Sequence, residues 1–380
     1  MGGRGRWFAV AAATLVVLAG AETAAAGTNT VRDGNDRPGR LDIRTASQGH
    51  AGSRVTHTIR TFGRWPTALL GPSTPNYLLL VLSTDSDPAP ERLVLIVSSR
   101  GRLLAAVFNP RGRLLGRAGA SRPNRRSARV SIRRSLLGNP AGYRWLAFAF
   151  FRGTGTCGGG CRDRAPNRSR VLHDLRPPTV SFPQPGVPQD TTYDVGFSVS
   201  DAGGSRTRSW RIQNRLFGTA PWTTVDSGTT AGPQTYQHIA AAPDQDDQFR
   251  VIAVDRHGNT TTSPVRTVSV PVDDGSFTYG GTWTTPSSPE AFLMTLHEST
   301  EAAATATYDF TQRYVALVAP GGVGTAEVAI DAGVPATVDL SAFSGPRRLV
   351  FQATFATAVP RTLVVTVSSG TVQIDGIIVR

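Results

Sequence analysis

The chain has 380 residues, 39% hydrophobic and 18% charged, with 40 Gly and 26 Pro, so it can bury real cores and is no disordered polymer. All 40 basic residues are Arg, with no Lys, and the formal net charge is +13. The Lys deficit fits the codon usage of a G+C-rich genome, so the placement of Arg informs more than its abundance. Residues 27–176 carry 26 Arg against 8 acids, a net of +18, whereas residues 177–380 carry 12 Arg against 18 acids, a net of −6. Asymmetry of this kind can draw polyanions to one part of a molecule.

Residues 1–26 open with Arg4 and Arg6, run apolar from Trp7 to about Ala19, and end in Ala24, Ala25 and Ala26. That is the three-part pattern of a secretory signal, and its apolar run is too short for a stable membrane span. Export implies an extracellular protein, a setting that permits disulfides, and partners outside the cell. No later run reaches 18 apolar residues, so no transmembrane anchor is expected. The polar stretch at 27–40 is expected to be a disordered leader.

From residue 41 to 176, short apolar or alternating runs are broken by Gly, Pro and Asn, and long helical periodicities are absent. Seven strands are predicted there: 41–47, 54–62, 77–84, 92–98, 103–109, 128–133 and 143–152. Together they suggest a basic β-sandwich domain. The alternation Arg129-Val130-Ser131-Ile132-Arg133 would set Arg on one face and Val/Ile on the other, while Tyr77–Leu82, apolar throughout, reads as a central strand. Pro177-Pro178 marks a stiff boundary, and a second domain follows over 177–272. The third is expected at 273–380, after an acidic linker at Val272–Gly275. The fold expected is thus all-β, with three tandem β-sandwich domains after the signal peptide.

Within 177–272, Ser209-Trp210-Arg211-Ile212-Gln213, Trp222 and Phe249–Asn259 (FRVIAVDRHGN) carry a resemblance to fibronectin type III and related immunoglobulin-like modules. The last stretch looks like the penultimate strand and turn of such modules in bacterial surface proteins. In 273–380, Phe277–Trp283, Ala303–Phe310, Gly324–Asp331, Thr337–Leu340 and Val372–Val379 are similar to secreted jelly-roll domains of the carbohydrate-binding-module kind. That family's penultimate strand opens His-Thr-Leu, where this chain has Arg361-Thr362-Leu363. The first resemblance implies a scaffold without catalysis. The second implies a sandwich able to carry sugar contacts.

Cys157 and Cys161 are the only cysteines and enclose three glycines. In an exported chain they are expected to form a disulfide, since glycines let the backbone close so tight a loop and no second Cys pair exists for zinc. Gly153–Gly158 matches G-x-G-x-x-G by spelling alone, with no helix after it to hold a pyrophosphate. No cofactor and no metal site is expected. The six histidines form no metal-binding or metalloprotease pattern, and Asp246-Asp247 and Asp273-Asp274 read as solvated turn residues.

The run containing Arg122, Arg125, Arg126, Arg129, Arg133 and Arg134 is the expected polyanion-binding feature, because Arg grips phosphate, sulfate and carboxylate bidentately. Tyr279 and Trp283 are the candidates for stacking on sugar rings. The leading expectation is a secreted binding protein, not an enzyme, that contacts a polysaccharide or an anionic cell-wall polymer, with nucleic acid not the physiological partner. One alternative is a structural or adhesive protein that contacts surface proteins. The other is a hydrolase with a site in the first domain, where His57, Asp85, Asp87 and Glu91 are the only acidic or imidazole groups between 51 and 160.

Overall fold

The computed structural model describes residues 26–85, 89–152, 157–218 and 221–380. The signal expected at 1–26 lies outside the described residues except for Ala26, as do Asp87 and most of the G-x-G-x-x-G stretch. The chain is all-β, with no helix of seven residues or more among the described residues, and no described helix is long and apolar enough to cross a membrane.

Eleven strands come first: β1 (Ala26–Arg32), β2 (Ile43–Ala51), β3 (Arg54–Thr61), β4 (Tyr77–Ser83), β5 (Arg92–Ser99), β6 (Arg102–Phe108), β7 (Leu114–Asn124), β8 (Ser127–Arg133), β9 (Gly142–Phe151), β10 (Cys161–Ala165) and β11 (Val171–Asp174). They form one sheet in the order β1-β2-β3-β8-β7-β6-β5-β4-β9-β10, with β11 also on β9. Strand β7 is the corner. Its residues 114–118 pair with β6 and its residues 119–124 with β8, with an irregularity in each pairing. Such a strand lets one sheet turn over and face itself.

Strand β1 corrects the expectation of a disordered leader at 27–40: its residues 29–32 pair with residues 45–48 of β2. Backbone pairing supplies what the polar side chains do not. Strand β4 is buried on one face only: Leu78, Leu80 and Leu82 are fully closed to solvent while Tyr77, Leu79 and Val81 are half-buried.

By compactness the chain divides into two units. One runs up to Leu80 and takes in Arg92–Asn139 and Ala147–Asn167; the other holds Val81–Glu91, Pro140–Leu146 and Arg168–Arg380. In the second unit, β12 (Thr179–Ser181), β13 (Thr192–Ser200), β14 (Thr207–Leu216), β15 (Thr223–Gly228), β16 (Gly232–Ile239), β17 (Asp246–Asp255), β18 (Thr260–Thr262) and β19 (Arg266–Ser269) make two sheets. Their orders are β12-β13-β16 and β15-β14-β17-β18, with β19 on β17. Alternation points Tyr193, Val195, Phe197 and Val199 of β13 at Trp210, Ile212, Phe249, Val251 and Ala253 of the facing sheet. Trp210 meets Phe197 edge-on at 5.1 Å and donates its indole N–H to Thr230 O at 2.9 Å.

The remaining strands are β20 (Val272–Asp273), β21 (Thr278–Gly280), β22 (His297–Ser299), β23 (Thr305–Phe310), β24 (Tyr314–Ala319), β25 (Thr325–Ile330), β26 (Ala336–Asp339), β27 (Arg348–Thr354), β28 (Arg361–Ser369), β29 (Val372–Ile374) and β30 (Gly376–Val379). Sheets β20-β30-β24-β27 and β21-β23-β28-β25-β26 enclose a core that includes Val315, Leu317, Leu363, Val365 and Ile377. The expected acidic linker is ordered: Val272 and Asp273 pair with Ile377 and Gly376 of β30.

Candidate polyanion-binding face

The register of β3 and β8 places Arg54 opposite Arg133, Thr56 opposite Ser131, Thr58 opposite Arg129 and Arg60 opposite Ser127. Alternation sends Val55, His57 and Ile59 of β3, with Ala128, Val130 and Ile132 of β8, into the interior. The outward positions are therefore Arg, Thr and Ser. Strand β7 adds Gly119 and Ser121 beside Ser131 and Arg129, and β2 adds Thr45 and Ser47 beside Arg60 and Thr58.

No carboxylate lies between residues 43 and 84, or between 92 and 162. Strands β2, β3, β7 and β8 thus contribute no counter-ion to this face. Arg54 and Arg133 are like charges directly opposite one another, an arrangement that costs stability unless something else gains from it. The local donors are organised by hydroxyls: Arg54 Nη1 donates to Ser131 Oγ at 3.3 Å and Arg129 Nε to Thr58 Oγ1 at 3.4 Å. Arg129 and Arg133, four residues apart on one strand, are separated by about 13 Å along its axis. Guanidinium forks with flanking hydroxyls at that spacing suit a ladder of sulfate, phosphate or carboxylate groups.

Of the six arginines singled out from sequence, the structure brings only Arg129 and Arg133 onto this face. Arg122 turns onto Trp65, its guanidinium carbon 4.5 Å from the ring centroid, and donates to the carbonyls of Trp65 and Arg125. It braces the β7–β8 hairpin. Arg125 is exposed at the hairpin turn, Arg126 is half-buried there, and Arg134 begins a 3-10 turn beyond β8. Arg54 and Arg60 were missed, although Arg54-Val-Thr-His-Thr-Ile-Arg60 carries the same alternation as β8.

The Cys157–Cys161 disulfide is formed, with its Cα atoms 5.0 Å apart. In the C-terminal sheets, Tyr279 and Trp283 come together at 5.0 Å between ring centroids, both half-buried against the core. One face of Tyr279 stacks on His297 at 4.0 Å, and its hydroxyl donates to Asp274 O at 2.9 Å. Trp283 donates to Gly280 O at 3.2 Å. Trp222, in the middle segment, lies under the guanidiniums of Arg215 and Arg250 at 4.5 and 4.4 Å.

The paired acids are not the solvated turn residues expected. Asp247 and Asp274 are each 1% exposed. Asp247 accepts from Tyr193, His238, Asn214 and Gln245. Burial raises its carboxyl, and those hydrogen bonds more than offset it, so the net shift is below the ordinary range. Asp274 accepts from Thr295 and pairs with His297 Nδ1, whose Nε2 lies 3.3 Å from Thr285 Oγ1.

Two further acidic groups converge from distant sequence. Asp174, Asp201 and Asp255 present carboxylate oxygens within 4.8 Å of one another, as do Asp33, Asp36 and Asp163. In the first group the carboxylates accept from Arg176 N, Gly203 N, Ser205 and Asn259. In the second, burial and neighbouring acids push Asp33 up to about 6. Asp42, next to Asp163, is pushed to about 7 by the same causes.

No family model matches this chain, and no curated protein does. Solved structures give low-level likeness. An exo-beta-1,3-galactanase of Phanerochaete chrysosporium is 12% identical, with 88% of this chain and 78% of that one covered and a TM-score of 0.27. The FN1–FN3 domains of chicken CNTN1 are 12% identical over 93% of this chain and 98% of that one, TM-score 0.24. DIP-gamma IG1+IG2 is 13% identical over 58% and 90%, TM-score 0.23. At these scores the likenesses carry no argument about function, which therefore rests on the residues themselves.

Proposed function

We propose that this chain is an exported, non-catalytic binding protein whose Arg–Ser–Thr face takes an anionic polymer, a cell-surface glycan or wall polymer bearing sulfate, phosphate or carboxylate groups. The observation that carries this reading is the outward side of β3 and β8. It aligns Arg54, Arg60, Arg129 and Arg133 with hydroxyl donors on strands that hold no carboxylate. An ordinary solvated surface mixes both signs of charge. The sequence of residues 1–26 supports export, and the disulfide is compatible with it.

The position of the first segment's imidazole argues against a hydrolase site there. His57, the imidazole of the first segment between 51 and 160, points into the core at 1% exposure. Heparin-resin chromatography tests the reading. Retention beyond about 0.3 M salt is expected, and elution below about 0.2 M contradicts a dedicated polyanion site.

A further inference from the structure

We propose that Asp33, Asp36, Asp42 and Asp163 form a calcium site that ties the β1–β2 loop to β10. The first support is geometric. Oxygens of Asp33, Asp36 and Asp163 all lie within 4.8 Å of one another, and calcium, with ligands at about 2.3–2.6 Å, accommodates oxygens up to roughly 5 Å apart.

The second is a pair of orphaned buried groups. Asp42 is 0% exposed and Asp163 3% exposed. Neither oxygen of Asp42 has a hydrogen-bond partner, nor does Asp163 Oδ1. A buried carboxylate is retained when it is hydrogen-bonded, paired with a cation or bound to a metal. Asp42 and Asp163 Oδ1 lack the first, and among the described residues none of the four makes an ion pair with Arg, in a segment that holds 26 of them. Four of the eight acids in 27–176 gather at this one place. Carboxylates gathered this closely repel one another, and a divalent cation among them would relieve that repulsion.

The scaffold holds the carboxylates in place. Ile43 N donates to Asp163 Oδ2 at 2.5 Å and Asn167 Nδ2 to Asp33 Oδ1 at 2.7 Å. Gly39 sits so close to the Phe151 ring that any Cβ would collide with it, which fixes the loop between Asp36 and Asp42. All four side chains offer hard oxygen, with no imidazole or thiolate, which selects calcium over zinc. Three come from one ten-residue loop whose shape is irregular, and calcium tolerates that better than magnesium does. The Asp174, Asp201 and Asp255 group lacks such orphans: each member's carboxylate already has hydrogen-bond donors.

The test uses the full chain stripped with EDTA, titrated with CaCl2 by calorimetry and melted with and without 5 mM calcium. The wild type is expected to bind calcium with a Kd below about 1 mM and to gain roughly 3–6 °C in Tm. Asp36→Asn and Asp163→Asn are each expected to bind one calcium fewer per chain and to lose that gain. Asp36 is exposed, so its variant keeps the test valid if Asp163→Asn fails to fold. Absence of calcium binding by the wild type, an unchanged calcium count in Asp36→Asn, or an equal Tm gain from 5 mM magnesium would overturn the assignment.

Discussion

Residues 26–176 and residues 177–380 differ in where they leave acids and arginines open. In the later region, the most fully satisfied buried acid is Asp247, met by Tyr193, His238, Asn214 and Gln245. Arginines cover aromatic rings in both regions: Arg44 lies over Phe62 and Arg122 over Trp65 in the earlier one, and Arg215 and Arg250 over Trp222, Arg361 over Phe355 and Arg380 over Tyr314 in the later. In the earlier region, four acids crowd together with few donors, while Arg54, Arg60, Arg129 and Arg133 face outward with hydroxyls for company. The contrast separates charge that holds a fold together from charge left open for something else. A buried carboxylate surrounded by donors is structural; an outward guanidinium row without counter-ions on its own strands is free to meet a polyanion, as proposed above.

Three substitutions can break or sharpen that contrast. The largest effect is expected at Asp247. Asp247→Ala strands several buried donors at once and should cost roughly 2–4 kcal/mol in chemical denaturation. A loss below 1 kcal/mol would remove the distinction between satisfied and open acids.

His57 comes next. Burial alone holds its imidazole down to about 3, from an ordinary value of 6.5. Between those values the unfolded chain binds a proton that the folded one excludes, so stability falls as pH drops through that window, by up to ~1.4 kcal/mol per pH unit. Comparing the stability of His57→Gln with the wild type from pH 7 to pH 4 should show a flatter profile for the variant. Parallel profiles would mean that His57 is not kept neutral by the core.

The smallest effect belongs to Arg361, whose ion pair with Asp331 at 3.2 Å is partly open to water. Arg361→Ala should cost about 1 kcal/mol or less, including its contact with Phe355. A larger loss by thermal melting would show that the later region depends on its surface arginines more than its buried hydrogen bonds imply.

Much of the strand content was legible because alternation and apolar runs have a two-residue period. Strand β8 falls within a residue of the expected 128–133 and keeps Arg129, Ser131 and Arg133 outward as its pattern implied. Strand β7 was not legible: Gly116, Gly119 and Pro123 break the pattern, and backbone pairing to two neighbours holds it in place. The cysteine bridge could be read from spacing and glycine content, since both partners are local. The acidic cluster could not. Asp42 and Asp163 are 121 positions apart, and only the sheet topology brings them together. Adjacent acids such as Asp246 and Asp247 drew attention instead, yet strand geometry points such neighbours to opposite faces. The Arg run shows the same limit of reading along the chain. Its density along the chain concealed that Arg122 serves Trp65, whereas Arg54 and Arg60 reach the same face from another strand.

The most direct measurement compares binding of a fluorescent sulfated oligosaccharide to the wild type and to the Arg54→Ser/Arg129→Ser/Arg133→Ser variant over 50–300 mM salt. The wild type should show a steep linear fall of log K with log salt, and the variant a slope shallower by about 2–3 with unchanged melting. Identical slopes for the two proteins, or no binding by the wild type at 50 mM salt, would contradict the account.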